Sequence, residues 1–165
     1  MIIQSGRRGL SAAIAALAAL GGTFAALHYH RLGLTLSHYD SRGHLIVARR
    51  VIDSITPGWQ QIGAVWLPLP HLLNLLPAQA DALYGSGAAG VAISIASFAV
   101  ATSAIAWIVM TLSGSAAAAV AAAAVFALNP NVLYLQATPM TEPLQIALTL
   151  AAICLLVEWL NAIGA

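Results

Sequence analysis

Residues 86–130 read SGAAGVAISIASFAVATSAIAWIVMTLSGSAAAAVAAAAVFALNP, and no charged side chain occurs among them. The turn-forming triplet Ser113-Gly114-Ser115 divides this stretch into two apolar runs, from about Ser86 to Leu112 and from Ala116 to Leu128. At about 1.5 Å per residue, about 20 helical residues cross a hydrocarbon core of about 30 Å. The first run meets that length. The second meets it only if its helix continues past Asn129-Pro130; otherwise it is a shorter helix packed inside protein. So short a turn between two helices makes them an antiparallel hairpin.

Working outward, runs of the same kind lie on both sides, from about Leu10 to Leu27 after Arg7 and Arg8, and from about Leu144 to Ile163. Of the 165 residues, 61% are hydrophobic and only 7% are charged, too few charges to wet the surface of a soluble domain. The expected fold is therefore all-α, a polytopic membrane helix bundle of about four spans. Small residues dominate every span, as helices that pack closely in lipid require. The first run, with its twin arginine and Thr23-Phe24-Ala25-Ala26, also has the outline of a signal peptide. No small-x-small site precedes a polar mature start, so it reads as a retained anchor.

Six arginines and no lysine face five acids, for a net charge of +1, and they form no basic stripe. That balance argues against a nucleic-acid partner. Cys154 is the single cysteine, so no disulfide forms within the chain and no zinc-type spacing exists.

The polar chemistry is concentrated in residues 28–85, which hold four of the six arginines, three of the five acids and all five histidines. Within them, Asp40 to Ile55 has the period of an amphipathic helix. Leu45, Ala48, Ile52 and Ile55 share one face, and Arg42, Arg49, Arg50 and Asp53 lie mainly opposite. Asp40 or Ser41 is the expected cap and Thr56-Pro57-Gly58 the stop. A second short helix, about His71 to Leu76, follows the Trp66-Leu67-Pro68-Leu69-Pro70 turn. With Trp59 and Trp66 nearby, both helices suit the membrane interface.

Counting crossings puts residues 28–85 and the 129–143 connection on one side, with both termini on the other. Two segments then share a compartment: Ser37-His38-Tyr39-Asp40-Ser41-Arg42-Gly43-His44, and Leu135-Gln136-Ala137-Thr138-Pro139-Met140-Thr141-Glu142-Pro143. Asp40 and Glu142 are the candidate catalytic acids. A carboxylate at a membrane surface is solvated, paired or functional. Asp40 with His44, one helical turn on, could hold a divalent metal, or Asp40 could act as a general base. Arg49 and Arg50 suit a phosphate, and Arg42, His44, Gln136 and Thr138 complete the candidate substrate-binding set. Each has a plainer alternative: Asp40 as a helix cap, His44 as an interfacial hydrogen-bonding residue, Glu142 with Pro143 as a first-turn acid, and the arginines as a solvated face.

The order and spacing of Tyr39-Asp40-Ser41-Arg42-Gly43-His44, Trp66-Leu67-Pro68-Leu69-Pro70, the helical hairpin, Asn129-Pro130-Asn131 and Pro139-Met140-Thr141-Glu142-Pro143 resemble the N-terminal part of the GT-C glycosyltransferases. The likeness is to the protein-mannosyltransferase-like (family 39) group and extends over nearly the whole chain. It implies a polyprenyl-phosphate-linked sugar as donor and a lipid, glycan or protein acceptor outside the cytoplasm. It also implies a multi-pass protein of the cell inner (cytoplasmic) membrane with a cytoplasmic N-terminus, and residues 28–85 as an extracytoplasmic loop. Arg7 and Arg8 agree with that orientation, whereas the arginines of the loop oppose it. Carried over by position, Asp40 is the base, Arg49, Arg50 or His71 contacts the donor phosphate, and Glu142 shapes the site. Many members of the group have paired acids where this chain has Tyr39 and a lone Asp40. The group's catalytic module also has more than four spans, so the resemblance implies that this chain is part of a longer or split protein. The alternative from another class is a non-catalytic membrane subunit or transporter segment. The near absence of midplane charge in the spans and the absence of an obvious inverted repeat speak against transport.

Overall fold

The computed structural model describes residues 2–63 and 66–164, with side chains from residue 9 onward; the side chains of Arg7 and Arg8 lie outside the described residues. Among the described residues, eight α-helices follow one another: α1 (Ile2–Arg31), α2 (Tyr39–Arg50), α3 (Pro68–Asn74), α4 (Asp81–Ser86), α5 (Ala88–Ser113), α6 (Ala116–Ala127), α7 (Pro130–Gln136) and α8 (Glu142–Ile163). Short 3₁₀ turns at Trp59–Ile62 and Pro77–Gln79 join the loop helices, and no strand occurs among the described residues.

Among the described residues, three helical stretches are long and apolar enough to cross a membrane: Gly9–Arg31, Ala88–Ser113 and Glu142–Ile163. A fourth candidate span is a bent pair, α6 and α7, which turn by 66° at their junction and together make either one broken crossing or a re-entrant loop. The bend has a local cause. Asn129 accepts a hydrogen bond from the Asn131 N–H at 2.9 Å and so caps a new helix, and Pro130 occupies that helix's first turn, where a missing N–H does no harm. The chain does continue past Pro130, but as a second helix in a new direction. The molecule is a helical membrane bundle, and α5 is its centre.

Helix α5 packs against α1, α6 and α8 because its inward residues are small: Gly90, Ser94, Ala101, Ala104 and Ala106 are all buried. Ala106 meets Ala119 and Ala123 of α6, and Phe98 packs on Ala18 of α1 and stacks on Phe126 at 6.0 Å. Small residues let backbones approach closely where lipid offers no hydrophobic drive between helices. Gly114, at φ +69°, makes the left-handed turn of the hairpin, and Ser115 caps α6 by accepting from the Ala118 N–H.

The loop helices differ from expectation at their ends. Helix α2 stops at Arg50 and does not run on to Ile55: residues 51–56 turn back, with the Asp53 N–H on the Arg49 carbonyl and the Gly58 N–H on the Val51 carbonyl. The β-branched residues there favour helix weakly, and Pro57 drives Thr56 out of it. Its cap is His38, whose Nδ1 accepts from the Asp40 N–H at 3.2 Å; Asp40 already lies in the first turn. Helix α3 begins at Pro68 and ends at Asn74, earlier at both ends than expected, because Pro68 and Pro70 fall where a helix has no need of their N–H groups.

Both polar segments come to the same end of the bundle. Ser37 Oγ is 2.9 Å from the Tyr134 hydroxyl, Tyr29 meets Tyr134 edge to face, and Ser94 donates to the Thr138 carbonyl at 2.8 Å. A side chain at Gly90 would collide with Pro139, so this glycine is what lets the 137–141 turn lie against α5.

Candidate functional site

At this end of the bundle, α2 and α3 pack through a buried polar seam. His44 Nδ1 and His71 Nε2 are 3.0 Å apart, a hydrogen bond between two imidazoles that are each almost wholly buried. The Trp66 ring covers them, with centroids 4.4 Å from His44 and 6.0 Å from His71. Gly43 provides the room, since a Cβ there would stand 2.9 Å from Cη2 of Trp66. Burial lowers the pKa of His44, against the pull of Asp40, and burial together with the charge of His44 lowers that of His71. The pair is thus held neutral more firmly than exposed histidines. Ser41 Oγ, one turn before His44, is buried without a hydrogen-bond partner among the described residues.

The outer face of Trp66, with Leu67, Leu69 and Pro70, forms one wall of a cleft of about 340 Å³. The opposite wall is the start of α8: Thr141, Leu144, Gln145, Leu148 and Thr149. Thr141, Gln145 and Thr149 recur every four residues, so they make one polar stripe along an otherwise apolar helix. The cleft is therefore amphipathic, with an aromatic and aliphatic wall facing amide and hydroxyl groups. Glu142 sits beside Thr141, half-buried, with Oε2 lacking a hydrogen-bond partner among the described residues.

The other candidates are placed as follows. The Asp40 carboxylate is half-buried in the first turn of α2, 3.9 Å from His38 Nδ1 and close enough to act electrostatically on His44. Arg42 donates from Nε to the Leu36 carbonyl at 2.7 Å, which ties the loop before α2 to that helix. Arg49 is fully engaged: Nε binds Asp53 at 2.8 Å, one Nη binds Asp81 at 2.7 Å, and the guanidinium lies over the Tyr84 ring. Those two carboxylates, Asp81 first, raise its pKa further. Arg50 is exposed. Gln136 and Thr138 are completely buried and act on backbone, Gln136 Nε2 on the Gly22 carbonyl and Thr138 Oγ1 on the Leu135 carbonyl. Among the described residues, no three His, Cys, Asp or Glu side chains gather where they could hold an ion, so Asp40 and His44 stand without a third ligand.

Sequence reasoning did not single out Trp66 as the lid over a histidine pair, nor the Gln145–Thr149 wall. The four-residue spacing of Thr141, Gln145 and Thr149 was the available signal for the wall.

No protein-family model, curated protein or solved structure matches this chain. What the fold defines is a class: a multi-pass helical membrane protein whose polar side chains are gathered at one end of the bundle, around an amphipathic cleft.

Proposed function

We propose that this chain is the N-terminal part of a membrane glycosyltransferase that moves a sugar from a polyprenyl-phosphate carrier to an acceptor outside the cytoplasm. The observation that carries the reading is the cleft between Trp66 and the start of α8. An aromatic plate opposite a stripe of hydroxyl and amide groups suits a pyranose ring, which is apolar on its faces and polar at its rim. Asp40, half-buried at the same end of the bundle, is the proposed base toward the acceptor hydroxyl, and Glu142 shapes the site beside Thr141. Arg50 is exposed on α2 and makes no ion pair among the described residues, whereas Arg49 is committed to Asp53 and Asp81, so Arg50 is the better phosphate partner of the two. On this reading the cleft faces away from the cytoplasm.

The test is binding of polyprenyl-phosphate sugars to the chain in nanodiscs by native mass spectrometry, with Trp66→Ala and Asp40→Asn alongside. Trp66→Ala is expected to lose the sugar-bearing lipid while keeping polyprenyl phosphate alone. Asp40→Asn is expected to keep both and, in a complete enzyme, to lose transfer. Equal retention of sugar-bearing and bare carrier by wild type and Trp66→Ala would reject the reading. A non-catalytic membrane subunit is the second reading. It is favoured by α8, which leaves Leu148, Leu155, Leu156, Trp159 and Leu160 exposed as a broad apolar face. Co-purification of a membrane partner lost on Leu156→Ser, with no sugar-lipid binding, would favour it.

A further inference from the structure

The buried pair His44–His71 ties α2 to α3, and Trp66, which forms part of one wall of the cleft, lies against both rings. Helix α2 turns Ser41, His44, Leu45 and Ala48 toward its neighbours, and α3 answers with His71 and Asn74 as its buried residues. The seam is therefore largely polar. Its stability depends on the 3.0 Å hydrogen bond between the two rings and on Trp66 lying across them.

That hydrogen bond works only for certain protonation states. Two neutral imidazoles satisfy it, one nitrogen donating and the other accepting. A single added proton is tolerated, because the imidazolium still donates to its neutral neighbour. A second makes both facing nitrogens donors, with two positive charges a hydrogen bond's length apart in a buried place. Few other charges reach the pair. Asp40 pulls on His44 from the same helix; on α3 only His71 itself titrates, with the Leu67 carbonyl favouring its proton weakly. The 3₁₀ turns Trp59–Ile62 and Pro77–Gln79, which also touch α2, carry no titratable side chain. Arg49 of α2 is neutralised by Asp53 and Asp81. Across the cleft, Glu142 is not among the charges that act on either ring.

We propose that His44 and His71 form a proton-operated latch: neutral, they clamp α2 to α3 and hold Trp66 as the cleft wall, and acid separates the helices and swings Trp66 out. The proton balance is simple. The closed seam holds two neutral rings, and opening into water lets each take up one proton at its ordinary value of 6.5. With two protons taken up, the opening equilibrium grows up to about a hundredfold per pH unit once the pH is below that value. The inference rests on the fold alone and stands whether or not the cleft binds a sugar.

The test uses the chain in lipid nanodiscs with Trp59, Trp107 and Trp159 replaced by Phe, so that Trp66 is the sole indole. Lifetime-resolved acrylamide quenching is followed from about pH 8 to about pH 5. Trp66 is expected to become at least about threefold more accessible, with a midpoint below that of free imidazole and a steepness between one and two protons. His44→Gln/His71→Gln, whose amides can still pair without titrating, is expected to remove the transition. A flat profile for Trp66 overturns the proposal, as does an unchanged transition in the double variant. Should the double variant not fold, a chain that keeps Trp159 alone decides: it must stay flat, and a parallel rise there means general unfolding and rejects the latch.

Discussion

Trp66 packs over Gly43 so closely that even a methyl group on that backbone would stand 2.9 Å from the ring edge. A glycine in the middle of a short helix costs about 1 kcal/mol of helix stability, so its presence in α2 points to this contact. Gly43→Val is expected to force the indole off the histidine pair and destabilise the seam by about 1–3 kcal/mol, as overpacking does. A red-shifted Trp66 emission and a lowered melting temperature check this. Unchanged emission would show that the ring can give way at no expense to the seam.

The histidine pair also gives the stability of the protein a pH dependence whose sign is fixed. His44 and His71 both have folded-state pKa values lowered from 6.5, chiefly by burial. The unfolded chain therefore binds more protons, and the stabilisation from keeping them neutral is complete above about pH 6.5 and lost as the pH falls through the lowered folded values. The melting temperature should drop by several degrees between about pH 7.5 and about pH 5.5, at roughly 2–4 °C per kcal/mol for a chain of this size. His44→Gln/His71→Gln should flatten that drop. Differential scanning fluorimetry in nanodiscs measures both.

The membrane fold was legible because lipid imposes one strong rule, long uncharged helical runs, and residues 86–130 obey it openly. The bend at Pro130 was half legible: proline marks a break, but whether the chain stops or turns by 66° depends on Asn129 capping the next helix. The loop was harder. Helix α2 was read too long because the apolar period continues through Ile52 and Ile55, although backbone turns over residues 51–56 take over there. His38 was not read as its cap because histidine rarely serves as one. The histidine seam was beyond periodicity altogether. His44 and His71 are 27 positions apart on separate short helices, and only tertiary packing brings their rings together.

Arg49 is a fastener between loop helices. It reaches Asp53 on its own side and Asp81 at the start of α4, and it covers Tyr84. Both carboxylates are well exposed, so the pairs are screened by solvent, and Arg49→Ala is expected to leave the global melting temperature almost unchanged. The larger effect should be local, with faster hydrogen exchange over Asp81–Ser86 and little change in α5. Arg49→Lys should recover the charge but not both contacts, since an ammonium lacks the fork that spans two carboxylates. Exchange in α4 that is identical in all three proteins would remove Arg49 from this role.

Deep in the bundle, Gly22 and Gln136 hold α1 against α7. Gln136 Nε2 donates to the Gly22 carbonyl at 3.0 Å and to the Leu133 carbonyl at 3.1 Å, while its Oε1 is buried with no partner. A Cβ on Gly22 would stand 3.1 Å from that oxygen and 3.1 Å from a Phe98 ring carbon. Gly22→Val should therefore separate the two helices and cost about 1–3 kcal/mol. Gln136→Leu is the more informative change. It removes the donor to Gly22 but also the unpaired oxygen, and replacing a half-satisfied buried amide by an apolar group of similar size tends toward neutrality. The expected result is a large loss of thermal stability for Gly22→Val and a change within about 1 kcal/mol for Gln136→Leu. A severe loss for Gln136→Leu would mean that its Oε1 has a partner in the membrane, such as a bound water, and that the amide is a fully satisfied tie between α1 and α7.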